Sequence, residues 1–169
     1  MNMMILENTK TVSHTVGISE MKVCRDSNAR IVTHALGSCL GITVFDPVAG
    51  VGGMIHIQLP LSKIDTQKAE QRPCMFVDTG IPLLFEEAYR LGAVKSRIQL
   101  KVAGGAQFLD SGGKFKIGER NFAILRKMLW KNSVLIDGQD VGGSISRTMS
   151  LDMALGEVSI RSGNETWIL

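Results

Sequence analysis

The chain has little with which to cross-link itself: three cysteines, Cys24, Cys39 and Cys74, in 169 residues. An odd and sparse set argues against a disulfide framework and leaves at least one thiol free in any pairing. A block of one charge sign is also missing. The 19 Lys and Arg set against 16 Asp and Glu leave a net charge of +3 spread along the chain, which offers no electrostatic footprint for nucleic acid or anionic lipid. Long apolar runs are absent too. The stretches Ile31 to Phe45 and Pro47 to Ser62 carry no Lys, Arg, Asp or Glu. Both are interrupted by polar residues, Gly or Pro and fall short of the ~18 continuous apolar residues of a membrane span. The start, Met1 to Glu7, has no basic region and its apolar part ends at Glu7, so no secretory leader is expected. These absences predict a protein of the cytoplasm, without direct membrane insertion and without a nucleic-acid partner.

What remains is the composition of a folded domain, 44% hydrophobic and 21% charged, long enough to bury roughly 70% of its unfolded surface without disulfides or metals. Residues 1–12 mix Met, Asn, Thr and Lys without a period and read as a flexible lead, leaving 13–169 as the domain. Leu40 to Phe45 reads as a buried strand stopped by Asp46-Pro47, and Val51 to Gln58 as its hairpin partner. Residues 62–74 are polar and read as an exposed loop or short polar segment. Helical spacing of Ile81, Leu84, Phe85 and Ala88 predicts a helix over 79–91, with Asp78 or Thr79 as N-cap, Pro82 in its first turn and Gly92 as its stop. Ile98, Leu100 and Val102 alternate as a strand ending at Gly104-Gly105. A second helix follows over 119–131, with Phe122, Leu125, Met128 and Leu129 inward. Strands are expected at Val134 to Ile136, Ile145 to Met149 and Val158 to Ile160. This order suits an α+β class, a single-domain layered sandwich with a mixed sheet, better than regular βαβ alternation.

Chemistry concentrates at Gly37-Ser38-Cys39, which opens the first core strand, and at His56 near the far end of its hairpin partner. The reactive form of cysteine is the thiolate, and a nearby imidazole that accepts the thiol proton makes it a nucleophile. Backbone N–H groups among the small residues before Cys39 are candidate donors to an oxyanion. A buried, inert Cys and a packed His are the competing reading. Zinc would draw on Cys24, His34, Cys39, His56 or Cys74, but no pair has the spacing that lets one turn present two ligands. Gly104-Gly105 and Gly142-Gly143 match no phosphate-binding loop. No cofactor is expected.

Taken in order, Thr33-His34-Ala35-Leu36-Gly37-Ser38-Cys39, Asp46-Pro47, Gly53-Met54-Ile55-His56 with Leu59-Pro60, Phe76-Val77-Asp78-Thr79, Lys101 to Ala106, Ile117-Gly118-Glu119-Arg120-Asn121 and Gly142-Gly143 with Arg147 resemble the CheD family, the chemoreceptor glutamine deamidases of chemotaxis. The resemblance runs from about residue 15 to 162. It implies a fold similar to that of deamidating bacterial toxins and a protein-glutamine glutaminase, a hydrolase that turns receptor glutamines into glutamates through a cysteine thioester and releases ammonia. It also implies Cys39 as nucleophile, His56 as base and Thr33 as the third, orienting residue. The implied partners are the cytoplasmic helices of methyl-accepting chemotaxis proteins and a CheC phosphatase that acts on phosphorylated CheY. Two other uses of the same residues are a non-enzymatic regulator that binds CheC, and a thiol protease or transglutaminase.

Overall fold

The computed structural model describes residues 10–108 and 115–169. Leu40–Asp46 (β4) and Val51–Ile57 (β5) form the expected hairpin, and every residue of both strands is buried. Asp46 closes its turn: the carboxylate accepts the Val48 and Ala49 N–H groups at 2.9 and 3.0 Å. It also accepts the Val94 N–H at 2.8 Å and pairs with Arg97 at 2.9 Å. Burial on both faces requires a layer on each side of the hairpin.

One side is helical. The hairpin lies within a five-stranded sheet ordered β2-β5-β4-β6-β7, where β2 is Met21–Cys24, β6 is Gln99–Gly104 and β7 is Gly138–Val141. A short helix α1 (Thr66–Gln71) precedes α2 (Val77–Arg90), and α3 is Ile117–Lys131. Ile81, Leu84, Phe85 and Ala88 of α2 join Leu125 and Leu129 of α3 in one cluster with Leu40, Ile42, Ile55, Ile57, Leu100 and Val102. Both helices therefore bury their apolar stripes on this sheet, each large side chain contributing roughly 1.5–3 kcal/mol of transfer free energy.

A second sheet covers the other side. Its order is β1-β3-β8-β9-β10, built from Val12–Thr15, Ala29–Leu36, Arg147–Asp152, Val158–Ser162 and Glu165–Ile168. Ile31, Met149, Leu151, Val158 and Ile160 point inward against Phe45, Met54 and Ala103 of the first sheet. Both sheets are mixed, since β1–β3 and β6–β7 are parallel pairs. The layered α+β sandwich expected from the sequence is thus present, as sheet, sheet, helices.

Several boundaries differ from expectation, for local reasons. The polar stretch 62–74 is ordered into two single turns of 3-10 helix flanking α1, whose N-cap Asp65 accepts the Lys68 N–H at 3.0 Å. Helix α2 starts at Val77, so Pro82 sits inside it, and Asp78 binds Ser62 rather than capping the helix. Gly92, at φ +105°, does follow its end. Residues 134–136 are not a strand; Asp137 exchanges hydrogen bonds with the Leu100 backbone, and pairing begins at Gly138. Of the expected lead over 1–12, residues 1–9 lie outside the described residues, and Val12 already belongs to β1.

Candidate active site

His56 is placed by its strand. Its N–H donates to the Glu20 carbonyl at 3.0 Å and its carbonyl accepts the Ser19 N–H at 2.9 Å. With both backbone groups turned toward β2, the Gly41–His56 pair across to β4 is of the non-hydrogen-bonded kind, in which facing side chains come closest. Ile55 and Ile57 point to the helices, so alternation sends the His56 ring the other way, between the sheets. There the ring meets β3: Thr33 Oγ1 lies 2.7 Å from His56 Nδ1. Gly41 keeps this space open, because a Cβ there would stand 2.9 Å from Leu36, 3.0 Å from Met149 and 3.4 Å from the Thr33 methyl.

The hydrogen bonds fix the tautomer. Thr33 Oγ1 has one proton and donates it to the Val16 carbonyl at 2.7 Å, so it must accept from His56 Nδ1–H. The neutral ring then carries its lone pair on Nε2, which is buried and has no hydrogen-bond partner among the described residues. Burial also holds the imidazole well below its ordinary value, at about 4. His56 is therefore a neutral ring at physiological pH, with one nitrogen oriented by a hydroxyl and the other free to take a proton.

Cys39 lies one residue before β4 and two before Gly41, the partner of His56. Leu40 faces the helices while Cys39 packs against the cluster between the sheets, the one that holds Leu36, Met54, Ala103 and Met149. The thiol therefore lies on the His56 face, diagonally across the hairpin, and makes no hydrogen bond to the ring. It is partly exposed. Burial pushes the thiol above its usual range, offset in part by a hydrogen bond from its own backbone N–H. Thiol and imidazole are thus both neutral at rest.

The surrounding loops lock this geometry. The Cys39 carbonyl accepts the Gly105 N–H at 2.9 Å, and the Gly37 carbonyl accepts the Ala106 N–H at 2.8 Å. Gly104, at φ +108°, passes so close that a Cβ would fall 2.1 Å from the Cys39 oxygen, a conformation and an approach that only glycine allows. The Phe108 ring edge walls the loop at Gly37. Asn121 of α3, fully buried, donates to the Ser38 and Gln58 carbonyls at 3.1 Å each. Sequence reasoning gave Asn121 and Phe108 no role. The legible signal for Asn121 is a polar residue four and eight positions before Leu125 and Leu129, on the buried stripe of an amphipathic helix.

The other candidates stay apart from this cluster. Cys24 ends β2, Cys74 lies in the turn before α2, and His34 points to the outer face of its sheet. No group of three potential metal ligands occurs among the described residues. Gly104-Gly105 and Gly142-Gly143 are bound to each other's loops, the Gly142 N–H donating to the Gly104 carbonyl at 2.9 Å.

A partly exposed thiol, a neutral imidazole and an orienting hydroxyl between two packed sheets are the components of a cysteine-dependent acyl-transfer or amidohydrolase site. The family model for CheD chemotactic sensory transduction matches residues 58–162. A probable chemoreceptor glutamine deamidase CheD 1 of Syntrophus aciditrophicus is 47% identical over 87% of this chain and 92% of its own length. A probable chemoreceptor glutamine deamidase CheD 2 of Anaeromyxobacter dehalogenans is 46% identical over 89% and 95%. The relative of that name from Pyrococcus horikoshii is 39% identical over 89% and 92%. The chain belongs to the CheD family. No helix among the described residues is long and apolar enough to cross a membrane.

Proposed function

We propose that this protein is a protein-glutamine glutaminase that deamidates glutamine side chains on the cytoplasmic helices of chemoreceptors, with Cys39 as nucleophile, His56 as general base and acid, and Thr33 as positioning residue. The observation that carries the assignment of roles is the orphaned Nε2 of a neutral His56 whose Nδ1–H is already held by Thr33. Family membership and the printed names of its relatives support the reaction and the substrate.

In the reaction, Nε2 takes the Cys39 proton as sulfur attacks the carboxamide carbon, and the Cys39 N–H faces the developing oxyanion. The imidazolium protonates the amine, the C–N bond breaks, and ammonia leaves a thioester. Water then loses a proton to Nε2 and attacks the same carbon. Collapse breaks the C–S bond, frees glutamate and returns the proton to sulfur. One water is consumed and one ammonia released per glutamine. Small residues beside Cys39 suit a glutamine presented from a helix surface rather than a free amino acid.

The test is incubation of the cognate receptor fragment with wild-type and Cys39→Ala protein, read by mass spectrometry at each glutamine and by ammonia release. Conversion of glutamine to glutamate by the wild type alone supports the proposal. Absence of conversion together with tight binding of a CheC-type phosphatase would replace it with a purely regulatory role, and backbone cleavage or amine incorporation with a protease or transglutaminase.

A further inference from the structure

Helix α3 reaches the site through one residue. Asn121 lies on the face that carries Gly118, Leu125 and Leu129, and it is fully buried. An amide in such a place is destabilising unless its donors are matched. Both Nδ2 protons are matched, one by the Ser38 carbonyl and one by the Gln58 carbonyl. Two acceptors leave the amide a single orientation, since exchanging N and O would set oxygen against oxygen. Oδ1 is left buried without a partner among the described residues, a burden that a side chain serving packing alone would not carry.

The two carbonyls flank the reacting groups. Ser38 directly precedes Cys39, and Gln58 follows His56 by two residues. The β4–β5 ladder ends at Leu40–Ile57, so Asn121 extends the tie between the strands past their last rung, where the thiol sits. Gly118 makes the close approach possible: a Cβ there would fall 2.5 Å from the Gly105 backbone. Holding the Ser38 carbonyl has a further effect. In a trans peptide group the C=O and the following N–H point in opposite directions. A Ser38 oxygen drawn toward α3 therefore turns the Cys39 N–H away from the helix, and that N–H is the backbone donor that offsets the effect of burial on the Cys39 thiol.

We propose that Asn121 is a positioning residue that sets the Ser38–Cys39 peptide plane, so that the Cys39 N–H lies beside Sγ and serves both the thiolate and the oxyanion. The oxyanion role rests on the deamidase reading; the thiolate role does not. Asn121→Ala and Asn121→Asp variants, checked for folding by thermal unfolding, are compared with wild type in kcat and KM on the receptor fragment. Mass spectrometry at Cys39 also follows iodoacetamide alkylation against pH. Asn121→Ala is expected to lower kcat about 100-fold with KM unchanged and to move Cys39 alkylation to higher pH. Asn121→Asp, neutral in this buried site and keeping one O–H donor, is expected to fall between; it decides the matter if the alanine variant does not fold. A folded variant with wild-type kcat and an unmoved alkylation profile overturns the proposal. So does a loss confined to stability. Should the wild type convert no glutamine, the function reading fails while the alkylation profile still decides the role of Asn121.

Discussion

A single hydroxyl decides which nitrogen of His56 is basic. Thr33 is itself committed to the Val16 carbonyl, so it orients the ring without adding charge. Thr33→Ala is accordingly expected to reduce kcat about 100-fold, against at least about 10,000-fold for Cys39→Ala, with receptor deamidation as the assay. Because burial holds His56 at about 4, the acid limb of kcat/KM is expected near that pH rather than near 6.5. Alkylation of Cys39 by iodoacetamide is expected to be slow at neutral pH and to rise only above the ordinary thiol range. An acid limb near 6.5 would show an imidazole open to water. At this scale the sequence was partly legible. The hairpin signal put Cys39 and His56 on neighbouring strands near one end of the hairpin, because two short strands and one turn fix their register. Thr33 lies on a strand of the other sheet, and no spacing rule relates residues that meet only when two sheets stack; family resemblance alone marked it.

Among the elements, the hairpin and the two long helices were legible because burial on both faces, or a repeated apolar stripe, writes itself into consecutive residues. Strands β1, β2 and β10, of four residues each, are too short to show a period, and they went unread. The stretch 134–136 misled because Val134 and Ile136 pack beside the core while Asp137 occupies the backbone groups of Leu100. Gly104 shows how tightly the elements meet at the site. Gly104→Ala must strain a φ of +108° and displace the Cys39 carbonyl. It is expected to cost about 2–4 kcal/mol in urea unfolding and to abolish deamidation through the shifted thiol. A fully active, equally stable variant would mean that the loop can move aside freely.

Across the whole molecule, one polar cluster binds the two sheets at Asp140. Arg147 of β8, 4% exposed, holds Asp140 of β7 at 2.9 Å, and Trp167 of β10 donates to the same carboxylate at 2.7 Å, so the two sheets are joined at one end by a half-buried ion pair. Arg147→Ala leaves Asp140 without its cation and is expected to cost about 3 kcal/mol, read by chemical unfolding. Stability should also depend on pH through His56. The unfolded chain binds a proton near 6.5 whereas the folded chain resists until about 4, so acid favours unfolding. The contribution is complete above pH 6.5 and drains away as pH falls toward 4, on the order of 2 kcal/mol by pH 5. Urea midpoints at pH 7 and 5 measure it. Asp46 behaves similarly further into acid: burial alone would raise its carboxyl, but hydrogen bonds from Arg97, Ala49, Val94 and Val48 outweigh this and hold it far below the usual carboxylate range.

His56 and the hydroxyl that orients its ring come from different sheets, and β3, which carries Thr33, is flanked by β8 from the final quarter of the chain. During synthesis the sulfur and the ring emerge from the ribosome long before the strand that completes their scaffold. A half-made copy thus carries Cys39, His56 and Thr33 before β8 has arrived to pair with the strand that holds Thr33.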